Sequence, residues 1–405
     1  MTPLISLEEA LARVLESAAR LGSETVPLDE AHGRVLAAQV VARRSAPSAD
    51  VSAMDGYAVR AADVAVAPTT LDLIGTAPAG HQFAGTLRPG TAVRIFTGGV
   101  LPDGADAVVI QEDTVREGAR VTIREAAVAE RHIRRAGADF RAGAIVLPAG
   151  RRIGARDVAL IAAADHGTVE VARRPRVGLI ATGDELVAPG QGAGPHQVVA
   201  SNVYSVAALV RGAGGEPRDL GLVPDRLDLT EAAVRAALAS DLDVLVTLGG
   251  ASVGDHDLVA PALAAQGVHL GVHKVALRPG KPLMFGRSGT VRVLGLPGNP
   301  VSTYVCALLF LVPLLRALQG EAGVPALPLQ PAELDAELRA NDQRMDFMRA
   351  EIVGQGAHGP KVRPLPVQDS AFLSVLARAD ALLVRRPHAP AGRAGEPCEI
   401  VRLTD

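Results

Sequence analysis

Aromatic side chains are nearly missing from this sequence: it contains no tryptophan, and Phe, Tyr and Trp together make up 2% of its residues. Its cores must therefore be built from Ala, Val and Leu, and stacking of bases on rings is excluded as a main mode of binding. Cysteine is almost as scarce. Cys306 and Cys398 are too few for a disulfide framework. Neither lies in a C-x-x-C pair or near a metal-spaced histidine, so both read as buried thiols, and a cytoplasmic compartment is the expectation. An excess of one charge is lacking too. The formal net charge is −3, which argues against a basic nucleic-acid binder or a membrane-surface protein. Long apolar runs are absent: VCALLFLVPLLRAL (305–318) is shorter than a span and carries Pro313. The N-terminal TPLISLEEALARVLESAARLG has acids inside its apolar stretch and no basic flank, unlike a signal peptide.

What is present fits an ordinary globular chain, 48% hydrophobic and 21% charged, whose 405 residues predict two to four domains. Ser6 and Glu9 form a capping-box pattern. Leu7, Leu11, Val14, Leu15, Ala18 and Leu21 then repeat at helical spacing until Gly22. A second amphipathic element is expected around VPLDEAHGRVLAAQVVA (26–42), and RDVALIAAADHG (156–167) reads as helical before the extended TVEVARRP. Between them, TAVRIF, DAVVI and ARVTI alternate with Gly/Pro/Asp turns, the texture of a small β domain. The layout expected is a discontinuous helical and extended N-terminal domain (1–45 and 141–174), packed helix on helix, with a β domain inserted at 46–140. An α/β domain at 175–325 and a C-terminal β-barrel or sandwich at 326–405 follow.

The α/β expectation rests on alternation. RVGLIAT, EPRDLGLV, DVLVTLGG and VRVLGL read as strands, and SNVYSVAALVRGAG and LTEAAVRAALAS as helices between them. Such alternation predicts a three-layer domain with a mostly parallel sheet, whose ligands bind beyond the carboxyl ends of the strands. TLGGASVGDHD (247–257) lies at such an end. Gly249, Gly250 and Gly254 permit positive φ or close approach to an anion, Ser252 can donate, and Asp257 can ligate a cation bridging phosphate oxygens. The same turn can equally serve packing, with Asp255 as a helix cap. It is neither a Walker A loop nor a G-x-G-x-x-G fingerprint. ATGDEL (181–186) and GLVPDRL (221–227) bring Asp184, Glu185 and Asp225 to the same edge. Clustered carboxylates there suggest Mg²⁺ held against a phosphorylated ligand. In LRPGKPLMFG (277–286), Arg278 and Lys281 flank a stiff Pro-Gly turn that suits a small dianion, or is simply a solvated basic turn. LGLPGNPVS (294–302) sets Ser302 near a helix N-terminus.

MDGYA (54–58), RIFTGG (94–99), GADFRAG (137–143), ATGDEL, TLGGASVGDHD, RPGKP, LPGNPVS and RMDFMRA (344–350) occur in an order that closely resembles the MoeA family of molybdopterin molybdenumtransferases, also found as the gephyrin E domain. The resemblance spans roughly residues 5 to 400, and eight motifs in order are far more specific than any one. It implies an elongated homodimer that inserts molybdate into adenylated molybdopterin, releasing AMP with help from Mg²⁺. It also implies transient contacts with the adenylyltransferase and with apo-molybdoenzymes or their chaperones. By resemblance, Asp55 and Thr97 face the substrate across the dimer interface, with Asp139 near the same cleft. Glu185, Asp225 and Asp257 handle metal or nucleotide. Gly249, Gly250, Gly254, Pro297 and Pro300 shape the substrate loops. Ser252, Arg278, Lys281, Ser302, Arg349 and Ser370 form the molybdate pocket, with Lys281 counted among the catalytic groups and Ser374 as a rival to Ser370. Arg278 departs from the family, many of whose members have lysine there; it keeps the charge but offers a planar fork. The dithiolene sulfurs that finally bind molybdenum belong to the pterin, so the protein needs no cysteine cluster. An adenylyltransferase or a gephyrin-like scaffold are the alternative readings.

Overall fold

The computed structural model of the protein describes residues 4–250, 258–272, 274–323 and 327–403. At its centre is a six-stranded sheet in the order 216–223, 176–182, 244–248, 291–296, 284–288, 269–272. The first four strands run parallel, with Val177 opposite Val244 and Val244 opposite Arg292; the last two are antiparallel. Val244–Leu248 and Val291–Leu296 are buried at every position, as strands covered on both faces must be. Helices Asn202–Gly212 and Leu227–Leu238 make the crossovers.

A continuous helical stretch, Pro300–Leu318, forms the apolar spine of the main core. Pro313 cannot donate an N–H, and the stretch widens to a π-helix at Ala307–Leu311 just before it. By length and composition this stretch could cross a membrane, but 72% of its most apolar window is buried inside the protein, as in a core helix.

The N-terminal region differs from its sequence expectation. Only Leu7–Glu16 is helical; Ser6 Oγ accepts from Glu9 N (3.1 Å), and the helix ends well before Gly22. The stop is at Ser17, whose hydroxyl turns back to Val14 O and whose carbonyl accepts from the Arg292 guanidinium (2.8 Å). Leu7, Leu11 and Val14 share one core with Leu314, Leu315 and Leu318, so this helix packs on the α/β region and not on Ala155–Ala163. The segment expected as a second amphipathic element is instead a strand, Ser23–Pro27, a 3₁₀ turn and the two-residue strand Val40–Val41. The chain returns by backbone pairing: Ser23–Pro27 lies antiparallel to Thr168–Ala172, and Val40–Val41 to Ile145–Leu147.

Residues 56–123 contribute a second six-stranded sheet with its own small core around Tyr57, Leu71, Val109 and Val121. The C-terminal sheet runs 277–278, 345–356, 359–364, 329–334, 397–402, 381–385. It closes on itself like a barrel because Ala381–Arg385 pairs back with Met345–Gly356. Its first strand is borrowed from the α/β region: Leu277 and Arg278 pair in parallel with Met345 and Asp346.

Candidate functional site

Strand Arg176–Thr182 has 216–223 on one side and 244–248 on the other, so the chain crosses over in opposite directions from it. This opens a crevice at the carboxyl ends, the switch point where doubly wound sheets bind ligands. Four loops leave the sheet there. Gly249 and Gly250 have φ of 94° and 62°. A Cβ on Gly249 would lie 2.8 Å from Thr182 O, and one on Gly250 would lie 2.4 Å from Val259 Cγ2, so only glycine fits both positions. Thr182 and Thr247, on these two strands, each keep a buried hydroxyl without a hydrogen-bond partner among the described residues. Ser252, Gly254, Asp255 and Asp257, expected in this same loop, lie outside the described residues.

The acidic side of the crevice joins two loops. Asp184 Oδ1 accepts from Asp225 N (2.9 Å), tying the end of one strand to the end of its neighbour. Glu185 is exposed and its carboxylate folds over Gly183, where a Cβ would meet Oε2 at 2.6 Å. Asp184, Glu185 and Asp225 are all exposed, and none forms an ion pair among the described residues. Among those residues no three acidic, imidazole or thiol groups lie close enough to hold a metal ion; Asp257 lies outside them, so of the expected Glu185, Asp225 and Asp257 set only the first two are described.

The basic side is built across the junction with the barrel. Asn299, between Pro297 and Pro300, caps the start of helix Pro300–Cys306; its Nδ2 donates to Ser370 Oγ (2.9 Å), and Val301 N donates to Ser370 O (3.0 Å). Ser370 thus reaches the helix N-terminus, whereas Ser374 sits exposed on helix Leu373–Arg378. Ser302 is buried on the first turn, and Thr303 Oγ1 ties that turn back to Pro297 O. Behind the Arg278–Lys281 turn stands Cys306: Gly280 has φ of 117°, and a Cβ there would come within 2.3 Å of Sγ. Burial pushes the Cys306 thiol far up, and that of half-buried Cys398 to about 11.

The cations on this side differ in their commitments. Arg278 pairs with Asp342 and, at 3.3 Å, with Asp346. Burial pushes the Asp346 carboxyl up, while the backbone N–H of Arg344 holds Asp342 down. Lys281 is exposed and forms no ion pair among the described residues. Arg349 is 1% exposed; among the described residues its Nη atoms reach only carbonyls, Phe347 O at 3.5 Å and Asp369 O at 3.4 Å, and its Nε has no partner. Burial lowers its pKa. The carboxylates of Asp346 and Asp369 are its nearby counter-charges.

Asp55 and Thr97 meet in the β region. Asp55 Oδ1 accepts from Thr97 N (2.7 Å) and from Thr97 Oγ1 (2.8 Å), which lowers its pKa, the backbone N–H contributing most. Asp139 is exposed on a separate turn. Among the described residues no hydrogen bond or ion pair ties Asp55, Thr97 or Asp139 to the region from 175 to 403. Asn299, Asp342, Asp346 and Gln368, which holds Arg349 N from Oε1 (2.9 Å), escaped the sequence reading. Only Asn299 carries a local sign, its place between two prolines.

Three family models match in succession: the MoeA N-terminal region (domain I and II) over residues 5–164, a probable molybdopterin binding domain over 178–317, and the MoeA C-terminal region (domain IV) over 331–403. The molybdopterin molybdenumtransferase of a Nostoc species is 40% identical over 332 residues, covering 79% of this chain and 76% of its own. That of Haemophilus influenzae is 33% identical over 399 residues, covering 98% of both. The crystal structure of a molybdopterin biosynthesis moeA protein from Pyrococcus horikoshii OT3 superposes with a TM-score of 0.84 at 28% identity, covering 99% of this chain and 100% of that one.

Proposed function

Because the chain belongs to the MoeA family, we infer that it is a transferase of molybdenum cofactor biosynthesis, inserting molybdenum into molybdopterin. The observation that carries the finer reading is the polarity of the crevice. Exposed carboxylates occupy one side of the switch point, and cations and hydroxyls the other. An acidic patch repels molybdate but suits a metal–pyrophosphate group; a tetrahedral dianion needs convergent cations and hydroxyl donors. The substrates proposed are molybdate and adenylated molybdopterin, exchanged with release of AMP.

In this reading Lys281, Arg349, Ser302 and Ser370 receive the oxyanion, with Arg278 beside them and Ser252 expected there. Lys281 supplies a mobile point charge, and Arg349 a fixed one already stripped of water. Gly249 and Gly250 let backbone N–H groups approach the phosphate. Glu185 and Asp225, with Asp257, are the residues that would hold Mg²⁺, which would offset pyrophosphate charge when bound. Two carboxylates exposed without ion pairs are compatible with that role.

We propose further that the active form is a homodimer in which Asp55 and Thr97 of a second copy, with Asp139 nearby, complete the crevice. Among the described residues the hydrogen-bonded Asp55–Thr97 pair makes no bond to the crevice of its own chain, which supports this reading. The partners proposed are a molybdopterin adenylyltransferase, which supplies the adenylated substrate, and apo-molybdoenzymes or their chaperones. A cytoplasmic setting accords with two unpaired thiols.

The deciding assay is AMP release from adenylated molybdopterin, with and without molybdate and Mg²⁺. Molybdate should trigger release, and Lys281→Ala should need at least about tenfold more molybdate, the loss of one charge-assisted contact. Release that ignores molybdate would sink the insertion reading. Mixing Asp55→Ala and Lys281→Ala proteins should restore part of the activity if each cleft is shared; no restoration would remove the second copy from the site.

A further inference from the structure

Arg278 is the one cation of the proposed anion pocket that is already fully engaged. Its backbone pairs directly with Asp346 in the parallel ladder, which delivers one carboxylate to the fork (Nη1 to Oδ2, 3.3 Å). Nη2 takes the second carboxylate, Asp342. The two acids are not equivalent. The Asp346 side chain is 15% exposed and lies in the barrel strand; that of Asp342 is 46% exposed and lies in the preceding loop. Asp342 is itself oriented, its Oδ1 accepting from Arg344 N (2.8 Å).

Both sides of the guanidinium fork are taken by carboxylates, and an incoming dianion meets their charge first; Asp342 also has Arg344 Nη2 at 3.5 Å, a second cation that can keep it once Arg278 is given up. A lysine at this position would offer a compact point charge on a flexible stem, whereas the planar fork of arginine can serve two partners at once. The arginine departure therefore creates a clamp. An oxyanion that reaches Arg278 must displace one of the acids, and the exposed loop acid is cheaper to release than the one fixed in the ladder.

We propose that Asp342 is a displaceable counter-anion of Arg278 and Asp346 its fixed anchor, so that oxyanion affinity is set by competition with the protein's own carboxylate. Both are positioning residues; neither touches the reacting atoms. The proposal rests on the anion-pocket reading above.

The test is the dissociation constant of inorganic molybdate, measured by titration calorimetry on the full chain at low salt, for a double-mutant cycle of Asp342→Asn and Arg278→Gln. Asp342→Asn alone should tighten binding about two- to fivefold, the range of a half-exposed ion pair. In the Arg278→Gln background the same change should have no effect. Asp346→Asn should weaken binding, because the fork loses its anchor. Unchanged or weaker binding in Asp342→Asn overturns the proposal. So does equal tightening in both backgrounds, which would mean long-range charge and not release of the fork. Lys281→Ala separates the two levels: if it binds molybdate as wild type does, the pocket reading fails and this proposal falls with it. If Lys281→Ala loses affinity while the cycle shows no coupling, only the clamp is wrong.

Discussion

The α/β region is joined to its two neighbours in different ways. The first helix is part of its main core, but toward the paired strands at 23–41 and 145–172 the joint is largely polar. Glu321 receives Arg152 from across the joint (2.7 Å) and Arg316 from its own side (3.0 Å), and Asp243 receives Arg173 (2.8 Å). A cavity of about 240 Å³ remains between Arg20, Leu36 and Gln319. Toward the barrel the joint is backbone and apolar core. Leu277 and Arg278 enter the barrel ladder, and Met345, Phe347, Leu382 and Val401 share one core with the helical spine. Ion pairs tolerate small changes of angle, while a ladder and a packed core do not. The proposed anion pocket is built across the second joint, where backbone pairing and packing fix position.

The largest effect is expected from breaking the packed joint. Phe347→Ala removes a ring with 0% exposure and should cost about 3–5 kcal/mol in urea unfolding, with molybdate affinity lost alongside. If stability falls while affinity stays, the pocket does not depend on this seam. Glu321→Gln attacks the ionic joint instead. It leaves two arginines without their carboxylate and should cost about 1–3 kcal/mol, with molybdate affinity unchanged. An affinity loss there would erase the contrast between the joints.

The smallest effect is a matter of pH, and its sign differs between the joints. Burial alone would raise Glu321, but hydrogen bonds from Arg152 and Arg316 prevail and hold its carboxyl low; Asp243 is held low against burial by Arg173. Groups depressed in the folded state contribute stability above their unfolded values, near about 4, and lose it as pH falls through the lower folded values. Asp346 is raised instead, so protonation relieves its burial. Between about pH 4 and 3, wild type should therefore lose its first urea transition midpoint faster than Glu321→Gln does. Parallel curves would show that Glu321 does not carry the acid response.

The crevice was legible in sequence because each parallel strand ends in a compositional step. RVGLIAT gives way to Gly-Asp-Glu, VLVTL to Gly-Gly, and VLGL to Pro-Gly-Asn-Pro, and each step recurs at the sheet edge. What stayed hidden is set by distant neighbours. SETVP has no periodicity that announces its strand partner 145 residues away, Thr168–Ala172. The early end of the first helix depends on Arg292, far along the chain. Arg278 could be recognised as a cation, but its two acids come from the barrel, and no local pattern joins LRPGK to NDQRMD. Ser370 is separated from Ser374 only by the hydrogen bonds that carry it to the helix start.

Cys306, sealed behind the Arg278–Lys281 turn with its thiol contacting Gly280 O (3.6 Å), has a chemical consequence for the substrate proposed. A pterin dithiolene is itself a pair of sulfur nucleophiles, and a thiolate beside it, once oxidised, would trap it in a mixed disulfide. Buried and protonated at neutral pH, Cys306 neither oxidises readily nor exchanges. The proposed substrate would thus meet, behind this turn, a cysteine that stays inert toward its two sulfurs.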